Sequence, residues 1–254
     1  MGRPHIEFIQ SAEVEPTTLD RGPFAGLAAR VLSEDDETGA FSALVGLGAG
    51  AVVDLAGSSR PLELFGLRGE LTLAGQPFVP GSYAYVPSGT SEASLAAQGD
   101  AELFVMLEDE RPAGPGDELT VIDTNEQRLA DHGIESVPPG LVIKLLRVDA
   151  ERGDWTWIAA GAPGWQEDRA EVHPTVEEAL MLRGDILLGH RGEMSAGCYF
   201  WRPPMVHHGP MYSRGGNVFF FRTKGGGMEV TYENVPGWQE MVETYRAKEP
   251  LYQG

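Results

Sequence analysis

Only one cysteine, Cys198, stands in the chain, so no intramolecular disulfide can form and a cytoplasmic setting is expected. Basic residues are scarce: 19 Lys and Arg stand against 38 Asp and Glu, for a formal charge of -19. A surface of that sign serves solubility and repels phosphate backbones and anionic lipid, which argues against nucleic acid and membrane surfaces as partners. Long apolar runs are missing too. The most apolar stretch, Ala40 to Val53, is interrupted by Gly46, Gly48 and Gly50 and falls short of the ~20 residues of a membrane-spanning helix. The start of the chain, MGRPHIEFIQSAEVEP, has no basic region leading into an apolar core, so no signal peptide is expected. No glycine loop suited to phosphate is present, because Gly225-Gly-Gly227 is not followed by Lys-Ser/Thr and a helix. Ser195 and Cys198 have no base partner fixed by sequence, which leaves nucleophilic catalysis unsupported.

What the chain does have is glycine and proline, 33 and 18 of them in 254 residues with 42% apolar content. These residues interrupt helices and serve hairpins, so the profile predicts a turn-rich, all-β protein. It also repeats itself. Glu37-Thr-Gly39-Ala-Phe41 reappears as Glu151-Arg-Gly153-Asp-Trp155, Leu67-Arg-Gly69-Glu-Leu71 as Leu182-Arg-Gly184-Asp-Ile186, and Gly81-Ser-Tyr-Ala-Tyr-Val-Pro87 as Gly197-Cys-Tyr-Phe-Trp-Arg-Pro203. Gly50 and Gly164 keep the same spacing. A nearly constant offset over half the chain predicts two copies of one β-rich unit. The Pro/Gly-rich segment Arg111–Gly116 reads as a linker and divides the chain into domains 1–116 and 117–254. Residues 118–132 are expected to form a strand and a short helix. A terminal amphipathic helix is expected over 236–245, with Trp238, Met241, Val242 and Tyr245 on one side.

The second copy concentrates donor side chains. Glu171, His173 and Glu177 lie just ahead of an apolar strand, and His208 arrives about 30 residues later, after an aromatic strand and a Pro203-Pro204 stop. Any one of them alone reads as an ordinary surface residue. Together, imidazole and carboxylate suit one divalent transition metal, Zn, Fe, Mn or Ni, without choosing among them. His5, His132 and His190 read as surface residues.

The pattern resembles the cupin superfamily, whose two motifs have the forms G-x5-H-x-H-x3-E-x6-G and G-x5-P-x-G-x2-H. His173-x3-Glu177-x6-Gly184 fits the first from its second histidine onward, and Gly197-x5-Pro203 followed by His208 fits the second. The resemblance spans the whole chain as a bicupin, with ChrR-like cupins among the similar proteins. It implies two tandem double-stranded β-helix (jelly-roll) barrels with a short C-terminal helix, and His173, Glu177 and His208 as metal ligands. Three departures qualify it. Glu171 stands where the motif has its first histidine, as a fourth ligand or beside the ligands. Met205 takes the place of a glycine. Each ligand also has a competing neighbour: the motif spacing selects Glu177 over Glu178 and His208 over His207. The first copy carries Ala56, Ser58, Leu62 and Glu92 at the corresponding positions, a set unable to hold a transition metal, and is expected to serve as a structural or dimerising half.

Trp157, Met181, Tyr199 and Trp201 are expected to face the interior of the second barrel, either as plain core or as the wall of a small-molecule pocket, with His207 at its rim. Two readings follow. One is a metal-dependent enzyme of dioxygenase or isomerase/lyase type acting on a small organic molecule, with a spare carboxylate such as Glu178, or Glu171 if it is not bound, as general base. The other is a non-catalytic metal- or metabolite-sensing bicupin. A homodimer is expected in either case.

Overall fold

The computed structural model describes residues 2–130, 134, 137–226 and 229–248; His132 and Gly227 lie outside them. The architecture is all-β, with a single α-helix among the described residues, Trp238–Lys248. No helix among the described residues is long and apolar enough to cross a membrane. The chain divides into two compact units.

The first unit takes in Ser11–Gln127 and the N-terminal residues up to Pro4. Its larger sheet runs Thr120–Asp123, Ser82–Val86, Leu62–Arg68, Ala101–Leu107, Phe41–Leu47, Ala28–Glu34 and Thr17–Thr18, all antiparallel. A smaller sheet of Val52–Asp54, Ser94–Ala97, Leu71–Leu73 and Gln76–Phe78 accompanies it. The core of this unit holds Phe24, Phe41, Leu62, Leu64, Phe78 and Leu103, all buried. Alternation along the strands supplies this face.

The second unit repeats the plan. Its larger sheet orders Cys198–Arg202, Val176–Leu188, Asn217–Lys224, Asp154–Gly161 and Leu141–Asp149 as the first unit orders its counterparts. The outermost position beside Cys198–Arg202 is filled by Ile6–Gln10, from the very start of the chain. Units of this kind are double-stranded β-helix barrels, and the chain contains two in tandem. The repeat seen in sequence has a backbone counterpart: φ is +80° at Gly69 and +86° at Gly184, and +90° at Gly81 and +88° at Gly197. A β-carbon at Gly69 would strike the Asp100 carbonyl, and one at Gly184 the Gly216 carbonyl, so neither position tolerates a side chain.

Two expectations need correction. The unit boundary lies at Gln127/Arg128 rather than 116/117, because Thr120–Asp123 hydrogen-bonds to Ser82–Val86 of the first unit. His5–Gln10 belongs to the second unit. The repeat anchor Gly184 lies inside one long strand, Val176–Leu188, with a bulge between Met181 and Arg183. After Thr120–Asp123 the helical turn is a short 3-10 segment, Thr124–Glu126, capped by the Asp123 side chain. The terminal helix packs Trp238, Val242 and Tyr245 against Leu187 and Tyr212 of the second unit.

Candidate metal centre

Backbone pairing brings the donors together. Arg169–Val172 pairs with Thr231–Asn234, and beyond it the chain turns at Pro174 into Val176–Leu188. Glu171 and His208 form a two-way bridge, Glu171 N–H to His208 O at 2.7 Å and His208 N–H to Glu171 O at 3.0 Å. The Met205 N–H donates to the His173 carbonyl at 2.9 Å. Met205 sits at φ +66°, so the position where the motif has glycine keeps a glycine-like backbone despite its side chain.

Each imidazole is oriented by a carbonyl. His173 Nδ1 lies 3.0 Å from Thr175 O, and His208 Nδ1 lies 3.0 Å from Val206 O. A carbonyl only accepts, so Nδ1 carries the hydrogen and the lone pair is left on Nε2. Both Nε2 atoms are buried and have no hydrogen-bond partner. They stand 3.6 and 3.5 Å from Glu177 Oε2, and His208 Nε2 is 3.1 Å from Glu171 Oε1. The donor atoms of His173, Glu177 and His208 all fall within 4.8 Å of one another. Donors bound at about 2.1 Å to one ion are separated by roughly 3–3.5 Å, so this spacing fits a shared divalent cation. Two orphaned lone pairs beside buried carboxylates are chemically suited to it as well.

The electrostatics are those of a tight cluster. Burial pushes the Glu177 carboxyl up, but His208, His173 and Arg202 outweigh it and hold it well below the usual carboxylate range. Burial pulls the His173 imidazole down, while Glu177 and Glu171 overcome this and raise it. Arg202 donates to Glu177 Oε2 at 2.8 Å and lies over the Phe200 ring at 3.7 Å.

The donors open on a cavity of about 60 Å³ walled mainly by apolar and aromatic side chains, among them Trp157, Phe200, Phe219 and Phe221. Of the residues expected around it, Trp157 lines it and Met181 lies in the adjoining core without reaching the cavity. Tyr199 and Trp201 do not line it. In Cys198–Arg202 the residues facing in are Phe200 and Arg202, because Arg202 stands opposite Glu177 in register and alternation sends Tyr199 and Trp201 to the other face. Glu178 is also on that other face. It is buried, accepting hydrogen bonds from Tyr199 Oη at 2.6 Å and Arg222 Nη1 at 3.0 Å, so it is neither exposed nor a base in the cavity. His207 is exposed, 3.4 Å from Glu233. The sequence reading missed Arg202, although an arginine inside an otherwise aromatic strand, level with a ligand carboxylate, was a usable signal.

Among the described residues no other His/Cys/Asp/Glu group has this geometry. In the first unit Leu62, at the place of Glu177, is buried in the core, and Glu92 is exposed.

Residues 123–226 match the family model described as the ChrR cupin-like domain. Solved structures agree on the fold of the whole chain. A candidate dioxygenase of Nostoc punctiforme superposes with a TM-score of 0.78 at 19% identity over 92% of each chain. A candidate glyoxylate-induced protein of Pseudomonas aeruginosa reaches 0.66 at 17% identity over 85% of this chain and 88% of its own. Oxalate decarboxylase of Bacillus subtilis reaches 0.58 at 14% identity over 98% and 85%. Identities this low establish the two-barrel cupin fold and leave the chemistry to the site itself. No curated protein matches the sequence.

Proposed function

We propose that the second cupin unit holds one divalent transition metal and uses it as an enzyme on a small organic molecule, in chemistry of dioxygenase or isomerase/lyase type. The observation that carries this is the pair of buried, unpartnered Nε2 atoms of His173 and His208 beside Glu177. In this reading those three residues are the ligands, and Glu171, 3.1 Å from His208, is a fourth ligand or a carboxylate beside them. A metal bound there supplies Lewis acidity or a site for O2, with positions left for a ligand from the cavity. The protein's part is positional. Carbonyls fix both imidazole tautomers, Arg202 holds Glu177, and the aromatic wall excludes water. Of the carboxylates offered by the sequence, Glu171 rather than Glu178 faces the cavity and takes the role of proton acceptor if it is not bound. The neighbours described as a dioxygenase and a decarboxylase support catalysis on this fold.

Metal analysis of the purified protein tests the reading. One ion per chain is expected, lost in His173→Ala and in His208→Ala and retained in His207→Ala. Equal loss in all three variants, or a wild-type protein that binds no ion, sinks it.

A further inference from the structure

We propose that the cavity beside these donors takes the carboxylate of a small monoanion of about four to six non-hydrogen atoms, with Arg202 and Trp157 as its recognition groups. The inference rests on the metal reading above and adds the class of ligand.

Three arguments point to it, the second of them made with the metal in place. The first is polarity. Beyond the donors already described, Trp157 Nε1 and Arg202 Nε are buried N–H groups of cavity-lining residues, and neither has an acceptor. Both groups can only donate, so what completes them must bring acceptor oxygens. They are held in place beforehand. The Trp157 ring stacks on Phe221 at 4.9 Å and 21°, and Arg202 is fixed between Glu177 and Phe200. In register Trp157 stands opposite Phe221, and Phe221 opposite Ala179, one pleat further into the barrel than Glu177.

The second observation is charge. Glu171 and Glu177 bring two negative charges, and Arg202 with a divalent metal brings three positive ones. One positive charge is left in an apolar enclosure, and a single anion neutralises it. Glu7, whose Oε1 lies 3.7 Å from Arg202, is ion-paired with Arg191 and adds nothing net.

The third is size. A cavity of about 60 Å³, at about 10–15 Å³ for each water-sized occupant, gives room for roughly four to six atoms. That is a two- or three-carbon acid and not an aromatic one.

The test separates this inference from the metal reading on which it stands. Wild-type protein is loaded with zinc, which has no redox chemistry, and the bound ion is counted before any ligand is added. Acetate and pyruvate are then titrated against their neutral isosteres acetamide and pyruvamide by calorimetry, with benzoate as an oversized anion. The expected result is binding of the two small carboxylates at least about tenfold tighter than of the amides, with no binding of benzoate. Trp157→Phe keeps the stacked ring and deletes the N–H; it should weaken pyruvate about tenfold and leave zinc affinity unchanged. Failure to load zinc overturns the metal reading. Zinc bound at full stoichiometry, with carboxylate and amide binding alike or with Trp157→Phe without effect on pyruvate, overturns this inference alone.

Discussion

Glu177 and Glu178 are adjacent in the chain and opposite in role. Pleating sends Glu177 to the cavity and Glu178 to the other side of the strand, where Tyr199 and Arg222 satisfy it. The first unit shows what that second position is for. Glu63, one repeat earlier, accepts from Tyr83 Oη at 2.8 Å, the same buried Glu–Tyr pair without a neighbouring metal-type cluster. Arg222, opposite Glu178 in register, is replaced there by Met106, opposite Glu63. The pair is a structural clasp inherited by both units. Removing one partner from a buried ionic pair costs about 3 kcal/mol or more. Glu178→Ala should therefore lower the melting temperature by several degrees while the folded protein still binds one metal per chain. An unchanged melting temperature with the metal lost would return Glu178 to the site.

At the scale of elements, the tight turn before Asp154–Gly161 gives a prediction about acid. The Asp149 carbonyl accepts from Gly153 N–H at 2.8 Å, and the corresponding Asp35 carbonyl accepts from Gly39 N–H at 2.7 Å. Burial pushes the Asp149 carboxyl up, but hydrogen bonds from Arg152 and the charges of Arg152 and Arg147 prevail and bring it from 3.8 down to about 2. A carboxyl lowered by folding stabilises the native state above its unfolded value. That contribution is lost as the pH falls from about 4 through about 2. Asp149→Asn should thus be less stable than wild type at pH 6, with the gap closing by pH 2, as read from denaturant midpoints. A gap that stays constant with pH would show that the ion pairs at this turn contribute nothing. The neighbouring strand Val176–Leu188 is the element on which both the donors and the repeat depend. Its bulge and the left-handed Gly184 let one strand serve two sheet partners, Cys198–Arg202 near Glu177 and Gly192–Ser195 beyond the bend. Replacing Gly184 by alanine should cost roughly 3 kcal/mol in unfolding free energy, from the collision with Gly216 and the unfavourable φ together.

At the scale of the whole molecule, the chain's first ten residues serve both units. Arg3 donates to Ser33 Oγ and Ser42 Oγ of the first unit at 2.9 and 2.7 Å, and Ile6–Gln10 then completes the large sheet of the second. A fragment starting at residue 128 lacks that strand, so Cys198–Arg202 becomes an open edge and Arg191 and Arg202 lose Glu7. Such a fragment should melt well below the same fragment with residues 5–10 joined through a flexible linker, by circular dichroism; equal melting would show the strand to be dispensable.

Much of this was legible beforehand. The two copies of a β-rich unit showed in the repeated glycines, and the donor-rich stretch with its resemblance to the cupin motifs showed in His173, Glu177 and His208, because turns and short strand motifs are local and print themselves in consecutive residues. What stayed hidden was long-range. Which face of Cys198–Arg202 turns inward, which strand Ile6–Gln10 joins and that Arg202 meets Glu177 all depend on register between segments far apart in the chain. A slip of one residue there exchanges the two faces of a strand, and no local pattern in Cys198–Arg202 tells Phe200 and Arg202 from Tyr199 and Trp201. Composition and spacing alone determined two copies of a β-rich unit, the second rich in donors, because turns and short motifs are local; the paired sheets decided that the copies are barrels and which of those side chains share a cavity, because register is set between distant segments.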